Sequence, residues 1–332
     1  MQKKTSLKDI AQLVGVSTAL VSYVLNNRKE GRISREVAQK IRAAAAALNY
    51  RPNQAARSLR SSKTLTIGLI VADIANPFSA SLARIIEDEA DLQGYTVIFG
   101  SSDEHPEKFN KLLEALLNRQ VDGLILSPPE NSANALQALV EQNTPFVLLD
   151  RYFSNITADT ICLDNHAATN AAVQHLLLQH KTRIGMIAYR TTLEHLQDRK
   201  NGYIDGLKTA DIPFNPSLLK EIDIVVTEEA VEQAMNELLQ LQEPPEAIIC
   251  ASNVIATKAL KLLRSKHRNT SSLPEIVGFD ETDLFHFVDP PLTYIRQPLV
   301  DMGRKATHLL LEQMNGRSER TRIFLKGELI TG

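Results

Sequence analysis

From Leu65 onward the chain alternates apolar runs of strand length with helical stretches, and this alternation limits the possible folds more than any other feature. TLTIGLIVA, YTVIFGSS, VDGLILSP and PFVLLD are the first four such runs, separated by helical stretches from Phe78 to Gln93, Pro106 to Arg119 and Ala133 to Gln142. A strand covered by helices on both faces has no polar side, so its sequence is apolar throughout rather than alternating. A parallel, doubly wound sheet is expected. After TICLDN the pattern recurs: helix His166–His180, strand RIGMIAY, helices Glu194–Ala210 and Glu228–Gln242, strand EAIICAS, helix Val254–Lys266 and strand EIVGFD. A second doubly wound α/β subdomain of similar size follows from it.

Ahead of this body, residues 6–49 read as three short helices. Ser6 caps SLKDIAQLVG, which places Leu7, Ile10, Ala11 and Val14 on one face and stops at Gly15. Ser17 caps the second helix and Ser34 the third, SREVAQKIRAAAAALNY. Two helices joined by a tight glycine turn, with a third as support, match the helix-turn-helix unit. In GVSTALVSYVLNN, 100° per residue gathers Leu20, Val21, Val24 and Leu25 in one arc and Thr18, Ala19, Ser22, Tyr23 and Asn26 in the opposite one. That outward arc carries no charge. Charge is plentiful around it: residues 1–63 hold 13 Lys and Arg against 3 Asp and Glu, while the rest holds 24 against 36. A basic head on an acidic body suits a polyanion-binding head and a body that avoids nucleic acid. RPNQAARSLRSSKT then breaks the pattern. Pro52 ends the third helix, Asn53 can cap one more short helix from Gln54 to Leu59, and the scarcity of apolar residues makes this a hinge expected to fold on contact.

Several chemistries lose their support. Neither subdomain has a GxGxxG after its first strand and no GxxxxGK[ST] occurs, so no nucleotide cofactor is expected. Cys162 and Cys250 lie in the apolar runs TICLDN and AIICAS and read as reduced, buried thiols rather than a disulfide or a metal site. No apolar run is long enough to span a membrane, and MQKKT leads straight into an amphipathic pattern without a signal-peptide core, so a cytoplasmic protein is expected.

In order along the chain, LKDIAQLVGVS…VSYVLNN, LNYRPNQAARSLR, IANPF, VDGLI, LLDR, DRKNGY, IVGFD and PPLTYIRQP resemble the motifs of the lactose-repressor/galactose-repressor family of bacterial transcription regulators, essentially end to end. The resemblance implies an α/β protein: an N-terminal three-helix helix-turn-helix domain plus a periplasmic-binding-protein-like core of two doubly wound α/β subdomains. The expected division is a DNA-binding domain over 1–50, a hinge over 51–63 and an effector-binding, dimerising core over 64–332. Within the core, the N-subdomain would take about 64–163 plus a returning segment near 296–323, and the C-subdomain about 164–292 plus the C-terminal strand. RIFLKGELITG reads as one strand, with no leucine heptad of the tetramerising kind after it.

The resemblance also assigns roles. In the DNA major groove, Thr18, Ala19 and Tyr23 would read base edges, with Ser17, Ser22 and Asn26 better placed for phosphates; Lys3, Lys4, Arg28, Arg32 and Arg35 would add further phosphate contacts. Methyl groups of Ala19 and Thr18 can meet thymine methyls and the Tyr23 hydroxyl can donate or accept, but no arginine is present for bidentate reading of guanine. At the hinge, Asn53, Ala56, Leu59 and Arg60 would face the minor groove, with Leu59 as the apolar wedge that kinks the duplex. In open α/β sheets, ligands bind beyond the carboxyl ends of the strands. Asn76, Phe78 and Ser79 would line one wall of the effector cleft, Asp150 would sit at the crossover, and Arg199, Ser252 and Asp280 would meet ligand hydroxyl or carboxylate groups. Ser252-Asn253 stands where the family often has Asn-Asp, and DIVV at Asp223–Val226 lacks the aromatic that often stacks on a sugar ring.

A regulator, most simply a repressor of a carbohydrate operon, is therefore expected. Its partners would be a pseudo-palindromic double-stranded operator, a second copy of the chain in a homodimer, and a small-molecule effector, with no membrane. A sugar or sugar phosphate suits the Asp, Arg and Asn set; a purine or nucleoside is the alternative. A transporter's solute-binding protein shares the body but not the basic head. A sugar-acting enzyme would need an acid/base set, whereas His166, His175, His180 and His195 show no paired motif and read as surface or core residues.

Overall fold

The computed structural model describes residues 5–26, 33–50, 63–266 and 273–332. They form two compact units, divided between Thr64 and Leu65. The first contains α1 (Leu7–Val14), α2 (Thr18–Leu25) and α3 (Arg35–Ala47). Each starts on a serine cap, and Ser6 forms a reciprocal capping box with Asp9. Gly15 ends α1 at φ +76, a left-handed conformation that costs a side chain-bearing residue more than glycine, and so permits the tight turn into α2. Ile10, Val21 and Ile41 are fully buried where the three helices meet, joined by Val24, Ala44 and Ala45. The arc of α2 bearing Leu20, Val21, Val24 and Leu25 faces this core.

The second unit holds two six-stranded sheets. The first contains β1 (Thr66–Val71), β2 (Thr96–Ser101), β3 (Gly123–Leu126), β4 (Phe146–Leu149), β5 (Asp159–Leu163) and β11 (Arg322–Leu325). Their order is β11-β5-β4-β3-β1-β2, all parallel. The second contains β6 (Ile184–Tyr189), β7 (Leu219–Ile222), β8 (Ala247–Cys250), β9 (Glu275–Phe279), β10 (Thr293–Arg296) and β12 (Glu328–Ile330). Their order is β12-β10-β9-β8-β6-β7, parallel except for the β10–β12 pair. Central strands β3, β4, β6 and β8 are buried at every residue, as their unbroken apolar sequences require.

Covering helices on the first sheet are α4 (Pro77–Leu92), α5 (Pro106–Asn118), α6 (Ala133–Glu141) and α12 (Leu299–Met314). On the second sheet they are α7 (Asn165–Leu178), α8 (Glu194–Thr209), α9 (Glu228–Leu239), α10 (Asn253–Lys266) and the short α11 (Asp283–Phe287). Gly202 lets α8 approach α7 closely: a Cβ there would lie 2.3 Å from the His166 carbonyl oxygen. No helix among the described residues is long and apolar enough to cross a membrane. Both cysteines are free and buried, and burial pushes the Cys250 thiol up to about 12.

Two expectations need correction. RIFLKGELITG is two strands: β11 continues the first sheet beside β5, and after Lys326-Gly327 the chain enters the second sheet as β12 beside β10. An apolar run does not reveal which neighbour supplies its hydrogen bonds, and here two neighbours in different sheets divide it. Asp150 does not lie at a crossover, because β4 and β5, on either side of it, are adjacent in one sheet. The chain passes between subdomains after Leu163, after Arg296 and after Leu325.

Candidate functional sites

In the first unit, Ser17, Thr18, Ala19 and Asn26 are exposed, and Ser22 and Tyr23 are half-buried. The Ser17 hydroxyl accepts from the Leu20 amide at 3.2 Å, so it caps α2. Asn26 donates its side-chain amide to the Ser22 carbonyl at 2.7 Å, closing the other end of the helix. Thr18, Ala19 and Tyr23 are thus presented from a short helix fixed at both ends, with its apolar face on Ile10 and Ile41. Lys3, Lys4, Arg28, Arg32 and the hinge residues Asn53, Ala56, Leu59 and Arg60 lie outside the described residues.

In the second unit the sheets place their polar strand ends together. In each sheet the first strand is flanked by the second and third, so the direction of winding reverses beside it. Ligands of doubly wound proteins bind at that point. Asn76 follows β1 and Asn253 follows β8, and their side-chain amides pair reciprocally at 3.0 and 3.4 Å between the subdomains. Asn76 also caps α4 by accepting from the Phe78 amide at 3.0 Å. Glu130, after β3, accepts from the hydroxyls of Thr191 at 2.6 Å and Thr192 at 2.9 Å, after β6. Tyr152 donates to Asp198 of α8 at 2.5 Å.

Asp150 and Asp280 occupy equivalent places, one residue beyond the fourth strand of each sheet. Both are left-handed, at φ +68 and +66, and both donate their amide to the fifth strand, to Ile161 at 2.8 Å and Ile295 at 2.9 Å. A non-glycine residue held there stores strain that functional sites commonly carry, and aspartate is among the residues that tolerate it. Both carboxyls are buried. Burial, partly opposed by the Arg151 and Arg199 guanidiniums, pushes the Asp150 carboxyl up to about 6. Burial raises Asp280 as well, against Arg199 and a 2.6 Å hydrogen bond from Gln297.

Arg199 projects from α8 with its guanidinium carbon 3.4 Å from the centre of the Phe279 ring. It donates to Asn165 at 2.8 Å and to the Ala251 carbonyl at 2.6 Å, and reaches Asp280 at 3.9 Å. Arg151 donates from both terminal nitrogens to Glu104, at 2.7 and 2.5 Å. Ser252 pairs with the Tyr189 hydroxyl at 2.6 Å, and burial pushes that phenol up to about 12. His195 is buried beside both arginines; burial first, then their charges, holds its imidazole well below the usual range. Asp150 Oδ1, Arg151 Nε, His195 Nδ1 and Gln297 Oε1 are buried without a hydrogen-bond partner.

Of the residues singled out in the sequence, Asp150, Arg199 and Asp280 come together with Gln297, and Ser252 joins them through Tyr189. Phe78 packs inward with Val71, Leu82, Ile86 and Met302, and Ser79 beside it is buried in the first turn of α4. Glu104, Arg151, Tyr189 and Gln297 were not singled out, and His195, read as a surface or core residue, is a buried one beside both arginines. One signal could have found several of them: each lies within a few residues of a strand's carboxyl end, where Asp150 and Asp280 also lie. No group of His, Cys, Asp and Glu able to hold a metal ion occurs among the described residues.

Comparison with known proteins gives two family matches. Residues 6–53 match the model for bacterial regulatory proteins of the lacI family, and residues 64–326 match periplasmic binding proteins and the sugar-binding domain of the LacI family. The chain is 33% identical to the HTH-type transcriptional repressor CytR of Escherichia coli (strain K12), over 94% of this chain and 90% of that one. It is 31% identical to the HTH-type transcriptional repressor PurR of Actinobacillus pleuropneumoniae serotype 5b (strain L20), over 93% and 91%. Among solved structures it resembles the lac repressor bound to ONPG in a repressed state, with a TM-score of 0.85, 25% identity and 99% of each chain covered.

Proposed function

Because the chain belongs to the LacI family of bacterial regulatory proteins, and so is a DNA-binding transcriptional regulator with a small-molecule-binding core, we propose that it represses a carbohydrate-metabolism operon in response to a sugar-like effector bound in the cleft between its subdomains. The observation that carries this reading is the set of four buried polar atoms without partners around Asp150 and Arg199. An unpaired buried polar group costs about 1–3 kcal/mol, and a ligand bearing several hydroxyls would relieve that cost.

The head binds duplex DNA through α2, and one head offers few contacts. A homodimer on a pseudo-palindromic operator therefore fits, with Leu59 of each hinge wedging into the minor groove. Such a protein works where the chromosome is, in the cytoplasm, and the buried carboxylates and His195 serve binding rather than turnover. Effector binding would shift the balance between open and closed clefts. Asn76–Asn253 and Glu130–Thr191 join the two subdomains and would have to break for the cleft to open, and the effect on DNA is reciprocal by linkage.

The test is selection of operator fragments from a random duplex pool by the purified full chain. Fluorescence anisotropy on the selected site, with and without sugars, sugar phosphates and nucleosides, then reads both the effector and the sign of its action. Absence of any sequence-selected site, or an operator affinity that no member of this panel changes, would overturn the proposal.

A further inference from the structure

We infer that the cleft selects an uncharged polyhydroxy ligand, a free sugar, glycoside or nucleoside, and rejects the same molecule once it carries a phosphate. This rests on the reading of the cleft as the effector site and narrows it. A phosphate ester dianion needs guanidinium, ammonium or backbone N–H donors with spare charge. The charge of both guanidiniums is already balanced by neighbours, although Arg151 Nε stays open: Arg151 faces Glu104 through its two terminal nitrogens, and Arg199 donates to Asn165 and the Ala251 carbonyl and lies 3.9 Å from Asp280. His195 sits between these two charges and is held neutral by burial and by both of them. Against two guanidiniums stand the carboxyls of Glu104 and Asp150, with Asp280 beside them, raised by burial. Glu130, between Thr191 and Thr192 at the subdomain boundary, adds another, so that Glu104, Asp150 and Glu130 outnumber the two guanidiniums even without Asp280. The fixed charge is thus negative, and low-dielectric surroundings strengthen its repulsion of an anion.

The unpaired atoms describe the ligand that does fit. Asp150 Oδ1 and Gln297 Oε1 accept, Arg151 Nε donates, and the neutral His195 ring supplies one more partner at Nδ1. A hydroxyl both donates and accepts, so neighbouring hydroxyls can satisfy this mixed set without bringing charge. Asp150 is the discriminating group, since its carboxylate both accepts a hydrogen bond from a hydroxyl and repels an anion.

The test uses the full chain and matched pairs: ribose and ribose 5-phosphate, glucose and glucose 6-phosphate, adenosine and AMP, uridine and UMP. Thermal shift followed by calorimetric titration should find at least one unphosphorylated member binding, with its phosphate ester at least tenfold weaker. Asp150→Asn keeps the shape and the left-handed backbone, and should weaken the unphosphorylated member at least tenfold while narrowing the gap within the pair. A phosphate ester bound as tightly as its parent, or no binding by any unphosphorylated member, would overturn the inference. Sequence-selective DNA binding measured on the same preparation keeps the two readings apart: a tightly bound phosphate ester with DNA binding intact defeats the charge argument and leaves the regulator standing.

Discussion

Replacing Asp150 with asparagine should stabilise the ligand-free protein at neutral pH, although the residue belongs to the proposed binding site. Its carboxyl is buried, one oxygen lacks a partner, and burial pushes it up to about 6 from the ordinary 3.8. At 1.36 kcal/mol per pKa unit, keeping it ionised in the folded state costs about 3 kcal/mol above pH 6. The sign follows from proton counting. Between pH 4 and 6 the folded state binds more protons at this site than the unfolded state, so wild-type stability falls as pH rises through that window. Below pH 4 the penalty is absent. Asparagine removes the charge and tolerates the left-handed backbone, but it adds buried N–H donors that recover roughly 1 kcal/mol of the cost. A net gain of about 1–2 kcal/mol is expected at pH 7.5, or roughly 2–4 °C for a unit of this size, shrinking to zero or reversing near pH 4.5. Urea unfolding of wild type and variant at pH 4.5, 6.0 and 7.5 measures it. A difference that does not change with pH, or a variant less stable at pH 7.5, would refute the assignment of a costly buried charge.

Gly202→Ala should destabilise the second unit by about 1–3 kcal/mol in the same assay, because the new methyl meets the His166 backbone and forces α7 and α8 apart. Tyr23→Phe should weaken binding to the selected operator by about 1 kcal/mol while leaving the slope of log affinity against log salt unchanged, since a lost base contact does not alter counterion release; a changed slope would move Tyr23 to the phosphates. Leu59→Ala should lower operator affinity at least tenfold with effector binding unaltered in calorimetry, and equal operator affinities would remove the wedge assignment.

Much of the fold could be read from local sequence because local physics decides it. The serine caps of α1, α2 and α3 and the unbroken apolar runs of β1, β3, β4, β6 and β8 need no distant partner to be recognised. What depended on distant partners was less legible. The division of RIFLKGELITG between two sheets is decided by β5 and β10, roughly 160 and 35 residues back along the chain. His195 showed no motif because its neighbours, Arg151 and Arg199, gather around it only in the folded core. Arg151 gained its meaning from Glu104, 47 residues away. The repeated strand-then-aspartate pattern, PFVLLD and EIVGFD, did carry the equivalence of Asp150 and Asp280, since both carboxylates follow a buried strand at the same place in a duplicated plan.

The three passages of the chain between subdomains all leave from one side. They involve β5 and β11 at one edge of the first sheet and β10 and β12 at the corresponding edge of the second. Three tethers along one edge leave the two bodies little freedom except rotation about that edge, like a door on its jamb. The opposite edge of the first sheet, β2, lies five strand spacings from β11, or about 24 Å. A turn of only 10° would carry it about 4 Å by that lever arm. A change of well under an ångström near the tethers is thereby delivered at the far edge as a displacement large enough for another molecule to register.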